Sequence, residues 1–236
     1  LYLGGYDLSG TTGALSKIAC PHATLDVTAI DKSAHERISG LRDGQIDFTS
    51  FWDSINAHPS LSALPRTDIG AMFTMSKTLG TQAACMVAKQ LNYDPTRATG
   101  GALTEAVGLV ANSFGMEWCK TLTAGKRVDT TATNGSSVDD GASSAFGLQA
   151  YLQVFALTGT DVTVKIQDSA DNASFADLSG AAFTAVTTAP GTQRIAISNA
   201  ATVRRYLRAV TTTSAGFTSA TFAVAYNRNP LANQVF

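Results

Sequence analysis

Short runs in which apolar and polar residues strictly alternate, broken by Gly, Asn, Asp and Pro, recur along almost the whole chain. No other feature narrows its possible folds so far. In Thr24-Leu-Asp-Val-Thr-Ala-Ile30, Leu25, Val27 and Ala29 share one face while Thr24, Asp26 and Thr28 share the other. That period of two is the signature of a half-buried strand. Residues 45–52 repeat it, with Ile46, Phe48 and Trp52 on one side, and residues 68–75 read the same way. Two Ala-rich segments, 83–93 and 102–112, fit a helix as well as a strand. The Asp94-Pro95 stop and the intervening Thr99-Gly-Gly101 turn favour a strand pair. Residues 31–37 are charged and lack apolar periodicity, so they read as an exposed loop from which the chain returns at 38–41. Arg42-Asp-Gly44 has the Asp-Gly pair that tolerates positive φ. Residues 58–65, bracketed by Pro59 and Pro65, leave room for one helical turn.

The second half repeats this design. Alternating runs at 148–158, 161–167, 182–186, 193–198, 203–211 and 219–226 are separated by turn residues such as Thr158-Gly159, Pro190-Gly191 and Ser214-Ala-Gly216. Six short strands at this spacing favour a sandwich or jelly roll. Between the halves, residues 129–144 are polar and small, with almost no apolar side chains. The expectation is therefore an all-β chain: a β-sandwich or barrel at residues 1–130 with at most a short helix, a linker at 131–144, and a jelly-roll-like β-sandwich at 145–236. With 236 residues, each module is large enough to bury its own core.

Composition excludes several functions. Charged residues make up 15% of the chain, against about 25% in an average globular protein. A surface this poor in charge and rich in Thr, Ser, Ala and Gly is either covered by other subunits or simply that of a Thr-rich β protein. Residues 1–130 hold 11 Lys+Arg and 12 Asp+Glu, and residues 131–236 hold 6 of each. No half is basic, which argues against sequence-independent nucleic-acid binding. No apolar run approaches the roughly 18 residues of a membrane helix, so no membrane insertion is expected. Leu1-Tyr-Leu-Gly-Gly-Tyr6 lacks the charged start and apolar core of a signal peptide. Cys20, Cys85 and Cys119 are odd in number and widely spaced, which fits small core residues in a reducing cytosol better than a disulfide framework.

No constellation for catalysis emerges. His22, His35 and His58 lack metal-ligand spacing with one another or with Cys, and no metal or cofactor is expected. Asp168, Asp171 and Asp177 gather around a turn, where carboxylates can hold Ca²⁺. Without the Gly and closing Glu of a helix-loop-helix site, turn-forming Asx chemistry is the stronger reading. Alternation places Arg204, Tyr206 and Arg208 on one strand face, opposite Val203, Leu207 and Ala209. That face offers sugar, anion or protein contacts, or it is simply a solvated face with Arg stems over apolar surface. Trp52, Tyr151, Tyr206 and Tyr226 are further aromatic candidates. No Gly-rich phosphate loop, nucleophile elbow or paired-carboxylate motif is present, so no enzymatic activity is expected.

Several segments together resemble the major tail (tail tube) proteins of long-tailed bacteriophages. They are Gly4-Gly-Tyr-Asp-Leu-Ser-Gly10, Leu25-Asp-Val-Thr28, Glu36-Arg-Ile-Ser-Gly-Leu-Arg-Asp-Gly-Gln-Ile-Asp-Phe-Thr-Ser-Phe-Trp52, His58-Pro-Ser-Leu-Ser-Ala-Leu-Pro65 and Ala83-Ala-Cys-Met-Val-Ala-Lys-Gln-Leu-Asn-Tyr-Asp-Pro-Thr-Arg97. In the second module the likeness continues at Tyr151-Leu-Gln-Val154, Lys165-Ile-Gln-Asp-Ser-Ala-Asp171 and Arg205-Tyr-Leu-Arg208. Most of the chain is covered, and the motifs are structural rather than catalytic.

The resemblance implies a virion tail protein, assembled in the host cytoplasm, whose copies form stacked rings, typically of six, around a channel for the genome. The first module would build the barrel and the second would decorate its outside. Tape measure, tail terminator and distal tail proteins would be its other partners, and phage DNA would pass through without specific binding. Residues 30–41 would be the loop reaching the next ring, with Asp31, Lys32, His35, Glu36 and Arg37 available for pairing there. Residues 1–10 and 227–236 would be ordered on neighbours. A head-decoration protein or a host-surface glycan-binding protein is the alternative.

Overall fold

The computed structural model describes residues 1–231, and they are almost entirely β. The first half contains β1 (Tyr2–Leu3), β2 (Tyr6–Asp7), β3 (Thr12–Ala19), β4 (His22–Asp26), β5 (Arg37–Arg42), β6 (Gln45–Phe51), the single-turn helix α1 (Ala57–Leu61), β7 (Ile69–Thr74), β8 (Gln82–Arg97), β9 (Leu103–Ala111) and β10 (Glu117–Thr121). After it come β11 (Arg127–Asp129), β12 (Asn134–Asp139), β13 (Leu148–Thr158), β14 (Val162–Ser169), β15 (Ala176–Ala182), β16 (Gly191–Ala196), β17 (Tyr206–Thr213) and β18 (Ser219–Arg228). Both Ala-rich segments are strands, β8 and β9, turned through Gly100 at φ +74°.

One sheet of 12 strands unites the halves. Its main path runs β16-β13-β18-β10-β8-β7-β1-β2. The branch point is β8, a strand of 16 residues. It pairs with β7 through residues 83–88, with β10 through 82–85, and with β9 through 88–97. From β9 the sheet continues to β6 and β3. The strand that crosses between halves is β18, which lies between β13 and β10, with Lys120 opposite Tyr226 and Thr121 opposite Ala225. A second sheet, β12-β17-β14-β15, covers the far end.

Alternation sorts the side chains into three cores. Ala150, Leu152 and Val154 of β13 and Phe222, Val224 and Tyr226 of β18 face the second sheet, where they meet Val164, Ile166, Leu207 and Ala209. Ile46, Phe48, Ala84, Met86, Val107 and Leu109 form the first-half core under Leu61 of α1. The opposite face of the shared strands carries Ala83, Cys85, Cys119, Ala223 and Ala225, closed over by Tyr2, Met72 and Tyr151. Small residues there let the sheet curl until its two ends meet. Gln153 of β13 bridges that junction: its Nε2 donates to the Gly70 carbonyl at 2.9 Å, and its Oε1 accepts from the Gly5 N–H at 2.9 Å. Gly5 sits at φ +83°, and an added Cβ would lie 2.5 Å from the Gly191 nitrogen, so this close approach needs glycine. A buried ion pair ties β10 to β16. Arg194 Nη2 donates to Glu117 Oε1 at 2.9 Å, its Nε donates to the Tyr151 hydroxyl, and its guanidinium stacks 3.8 Å from the Phe114 ring centroid. Burial pushes the Glu117 carboxyl above the usual range, against the opposing pull of Arg194.

The structure corrects several expectations. Part of the expected linker is a strand, since residues 134–139 form β12 and pair with β17, with Val138 only 7% exposed in the core. The boundary near residue 130 does not separate independent sheets. Residues 1–10 pack on their own chain, where Leu1, Tyr2, Leu3 and Leu8 are buried, because β1 pairs with β7. Of residues 227–236, Asn227 and Arg228 end β18, and 232–236 lie outside the described residues. Gly44 does not take positive φ. Its requirement is space, since a Cβ would meet the Met116 nitrogen at 2.7 Å. The expected strand at 182–186 falls mostly beyond β15, leaving one bridge between Val162 and Val186.

Candidate functional site

The segment where structure and alternation part company is the hairpin of β4 and β5. Strands β3 and β6 pair within the main sheet, and among the described residues their continuations β4 and β5 pair only with each other. The break falls at Pro21 and Asp43, where the Asp43 N–H donates to the Pro21 carbonyl at 2.9 Å. Proline removes a ladder donor and Gly44 admits Met116, so the ribbon bends away from the body here. Every residue of β4 is exposed. The face carrying Leu25 and Val27 was expected to be half-buried, yet Leu25 is 64% exposed, Ile38 56% and Leu41 87%, while Ile30 is fully open. Leu25 lies directly opposite Ile38. The ribbon therefore has the apolar alternation of a packed strand and no core of its own chain beneath it.

The connecting loop, residues 27–36, holds its shape through local polar contacts. Asp26 accepts from the Thr28 hydroxyl and from His35 Nδ1, and the hydrogen bonds from Thr28 hold its carboxyl below the usual range. The Glu36 N–H donates to the Thr28 hydroxyl at 2.9 Å. Of the residues expected here, Lys32 and Glu36 pair with each other at 3.3 Å, and His35 with Asp26 at 2.9 Å. Asp31 and Arg37 make no ion pair among the described residues. The loop thus offers fixed polar groups at the tip and apolar ones along the strands.

The second expected surface is engaged within its own sheet. Leu207 and Ala209 are buried as alternation required, while Tyr206 and Arg208 face outward. Arg204 precedes the strand and pairs with Asp168 at 2.9 Å. Arg208 donates to Gln167 Oε1 and stacks 4.0 Å from the Phe175 centroid. Arg205 lies over Tyr206 and pairs with Asp139. Arg205 and the Gly141 N–H hold the Asp139 carboxyl down at about 2. The aspartates expected near the turn separate: Asp168 serves Arg204, Asp177 serves Gln167 and Lys165, and Asp171 accepts the N–H groups of Ala173 and Ser174. Those backbone donors push the Asp171 carboxyl well below its ordinary value. Among the described residues, no three His, Cys, Asp or Glu side chains gather to hold a metal ion. Of the aromatic candidates, Tyr151 and Tyr226 are buried and Trp52 is 46% exposed. His58 of α1 instead joins a half-buried chain that ends on the buried Glu105, its Nδ1 2.7 Å from the Tyr93 hydroxyl, which donates to Glu105.

Sequence reasoning missed Trp118, half-exposed on β10, and the apolar burden of Ile38 and Leu41. The first sits on a five-residue strand too short to announce itself. The second was visible as Ile38-Ser-Gly-Leu41, read only as a returning strand.

No family model and no curated protein matches the chain. Two solved structures show a likeness. A chain from the virion of a native gene transfer agent particle aligns at 12% identity and TM-score 0.38, over 50% of this chain and 94% of that one. The Dit protein of phage SPP1, described as a hub of the adsorption apparatus in phages infecting Gram-positive hosts, aligns at 12% identity and TM-score 0.31, over 96% of this chain and 98% of that one.

Proposed function

We propose that this chain is a structural protein of a bacteriophage tail, the tube subunit that polymerises into stacked, hexameric rings forming the channel for genome delivery. The reading rests on the projecting ribbon. Exposed strands that carry Leu25, Ile38 and Leu41, joined by a loop that exposes Ile30, are an aggregation hazard in an isolated molecule and an interface in an assembled one. A ribbon that stands clear of the body reaches a neighbouring copy rather than its own core. Its tip, fixed by the Asp26, Thr28 and His35 contacts, supplies polar register at the joint.

Lateral assembly has candidates as well. Among the described residues, β3 pairs only with β6 and β16 only with β13, so each leaves one edge unpaired there. Edge pairing between copies is heterologous, and a heterologous contact that closes by rotation gives a ring. Net charge of −1 suits a channel along which DNA slides without being gripped. The second sheet decorates the outside, and the chain acts by contact rather than by catalysis. Tape measure, terminator and distal tail proteins meet it at the ends of the tube.

Replacing residues 27–36 with Asn-Gly shortens the ribbon and keeps a hairpin turn. Sedimentation of the shortened protein should show rings or single copies that no longer stack. Stacking at the parental concentration overturns the assignment of the ribbon to the joint between rings.

A further inference from the structure

A cleft of about 530 Å³ lies where β10 and β18 meet the segment after β12, away from the projecting ribbon. Its size is that of a small-molecule site, a few hundred cubic ångströms lined by apolar surface with a few placed polar groups. Trp118 is its aromatic wall, 46% exposed on a strand whose neighbours Glu117 and Cys119 are buried. An indole left half-open inside a cleft forgoes burial that a core would have given it, and its face is suited to a flat, partly apolar ligand.

The polar groups beside it are arranged in two ranks. The Asp140 carboxylate, its side chain 4% exposed, is held by Lys120 Nζ at 2.6 Å, the Tyr226 hydroxyl at 2.9 Å and Arg228 Nε at 3.4 Å. Two hydrogen bonds and the Arg228 ion pair hold that carboxylate and fix the two cations beside it. The lysine is 37% exposed, and an ammonium with one N–H committed to Asp140 keeps two more to offer. One carboxylate against two cations leaves the cleft with net positive charge. Alongside, the exposed Gln82 carboxamide makes no hydrogen bond among the described residues. Asn229, fully buried at the cleft wall, has a side-chain oxygen without a partner among the described residues.

An aromatic plate, the open Gln82 carboxamide and a pre-positioned cation match the chemistry of an acidic sugar. The pyranose C–H face lies on the indole, a hydroxyl meets the Gln82 carboxamide, and a carboxylate or phosphate meets Lys120 in a charge-assisted bond. We infer that this cleft binds an oligosaccharide bearing carboxylate or phosphate groups. The inference does not depend on the tube assignment, since it uses a different surface.

The chain has two tryptophans, so the full-length Trp52→Phe protein reports on Trp118 alone. Its emission is followed during titration with trigalacturonic acid, glucose 6-phosphate and maltotriose up to about 20 mM, the range in which weak sugar sites saturate. A saturable change with at least one anionic sugar is expected, with maltotriose weaker by about tenfold or more. Which anionic sugar responds separates carboxylate from phosphate recognition. On the same background, Lys120→Gln should bring acidic and neutral sugars to within about twofold of each other. Because Lys120 also supports Asp140, Gln82→Ala at an exposed position provides a second variant, expected to weaken binding at least about threefold with an unchanged melting temperature. No saturable response to either anionic sugar, or maltotriose binding as tightly as they do, overturns the inference.

Discussion

Replacing Leu25, Ile38 and Leu41 together by Thr should abolish assembly and leave the single molecule almost untouched. The side chains are 64%, 56% and 87% exposed, together about the apolar surface of two whole residues still in water. Burying one such side chain is worth about 1.5–3 kcal/mol, so a partner covering all three gains about 3–6 kcal/mol per ribbon. Only part of that survives the entropic cost of association. Even about 3 kcal/mol corresponds to roughly a 100-fold rise in the concentration needed to assemble. Within the single molecule the same residues touch little. Thr is β-branched and favours strands, and the Leu25–Ile38 pair becomes a Thr–Thr cross-strand pair. The melting temperature should therefore move by no more than about 2 °C, the scale of an exposed substitution in a chain this size. Differential scanning fluorimetry and sedimentation velocity across a concentration series read the two effects separately. A melting temperature lowered by more than about 6 °C, or assembly at the parental concentration, refutes the reasoning.

Three further outcomes follow from the body of the fold. Arg194→Met leaves the Glu117 carboxylate buried without its charge partner, at a cost of about 3–5 kcal/mol and roughly 10 °C in thermal melting. Without Arg194 the folded carboxyl pKa rises further above its unfolded value. Stability is then lost as pH rises through that pKa, so the deficit should be smaller at pH 5 than at pH 8; equal deficits would contradict the burial argument. For Asp139 the sign is opposite. Its folded pKa of about 2 lies below the unfolded value, so its contribution is present above that value and lost as pH falls toward 2. NMR titration should place its midpoint near 2, moving up in Arg205→Gln, and an unmoved midpoint removes Arg205 as the cause. A chain ending at residue 144 loses β18 from beside β10 and Gln153 from between Gly5 and Gly70, so it should show no cooperative melting transition; a sigmoidal melt would mean that the first half folds alone.

How much of this was legible in the sequence depended on whether a signal was local. Strands such as β13 were readable because apolar residues alternate over several positions, as Ala150, Leu152 and Val154 do on the face toward the second sheet, whereas β15 buries only Leu178 and Ala181 and gave no such pattern. The β12 strand was not, because Asn134-Gly-Ser-Ser-Val-Asp139 has one apolar residue to bury and takes its place in the sheet by backbone pairing with β17. Alternation correctly announced a strand at Leu25, although β4 ends at Asp26 and Val27 to Ile30 fall in the loop, and a period of two does not say whose core an apolar face meets. The ion pair of Glu117 with Arg194 spans 77 residues, and the bridge from Gln153 to Gly5 spans 148, so neither leaves a trace in spacing. The sharing of one sheet between the halves was hidden for the same reason. The candidate loop residues were found by charge, whereas Trp118 was missed because its cleft exists only once β10, β18 and the segment after β12 come together.

The central claim is that copies of this chain cover the projecting ribbon by stacking. Negative-stain electron microscopy of the purified protein over rising concentration tests it most directly. The account predicts rings with an axial channel that stack into tubes, and single rings or separate particles when residues 27–36 are replaced. Particles of one-copy size at every concentration, with the ribbon intact and with an extract supplying the other tail proteins added, would contradict it.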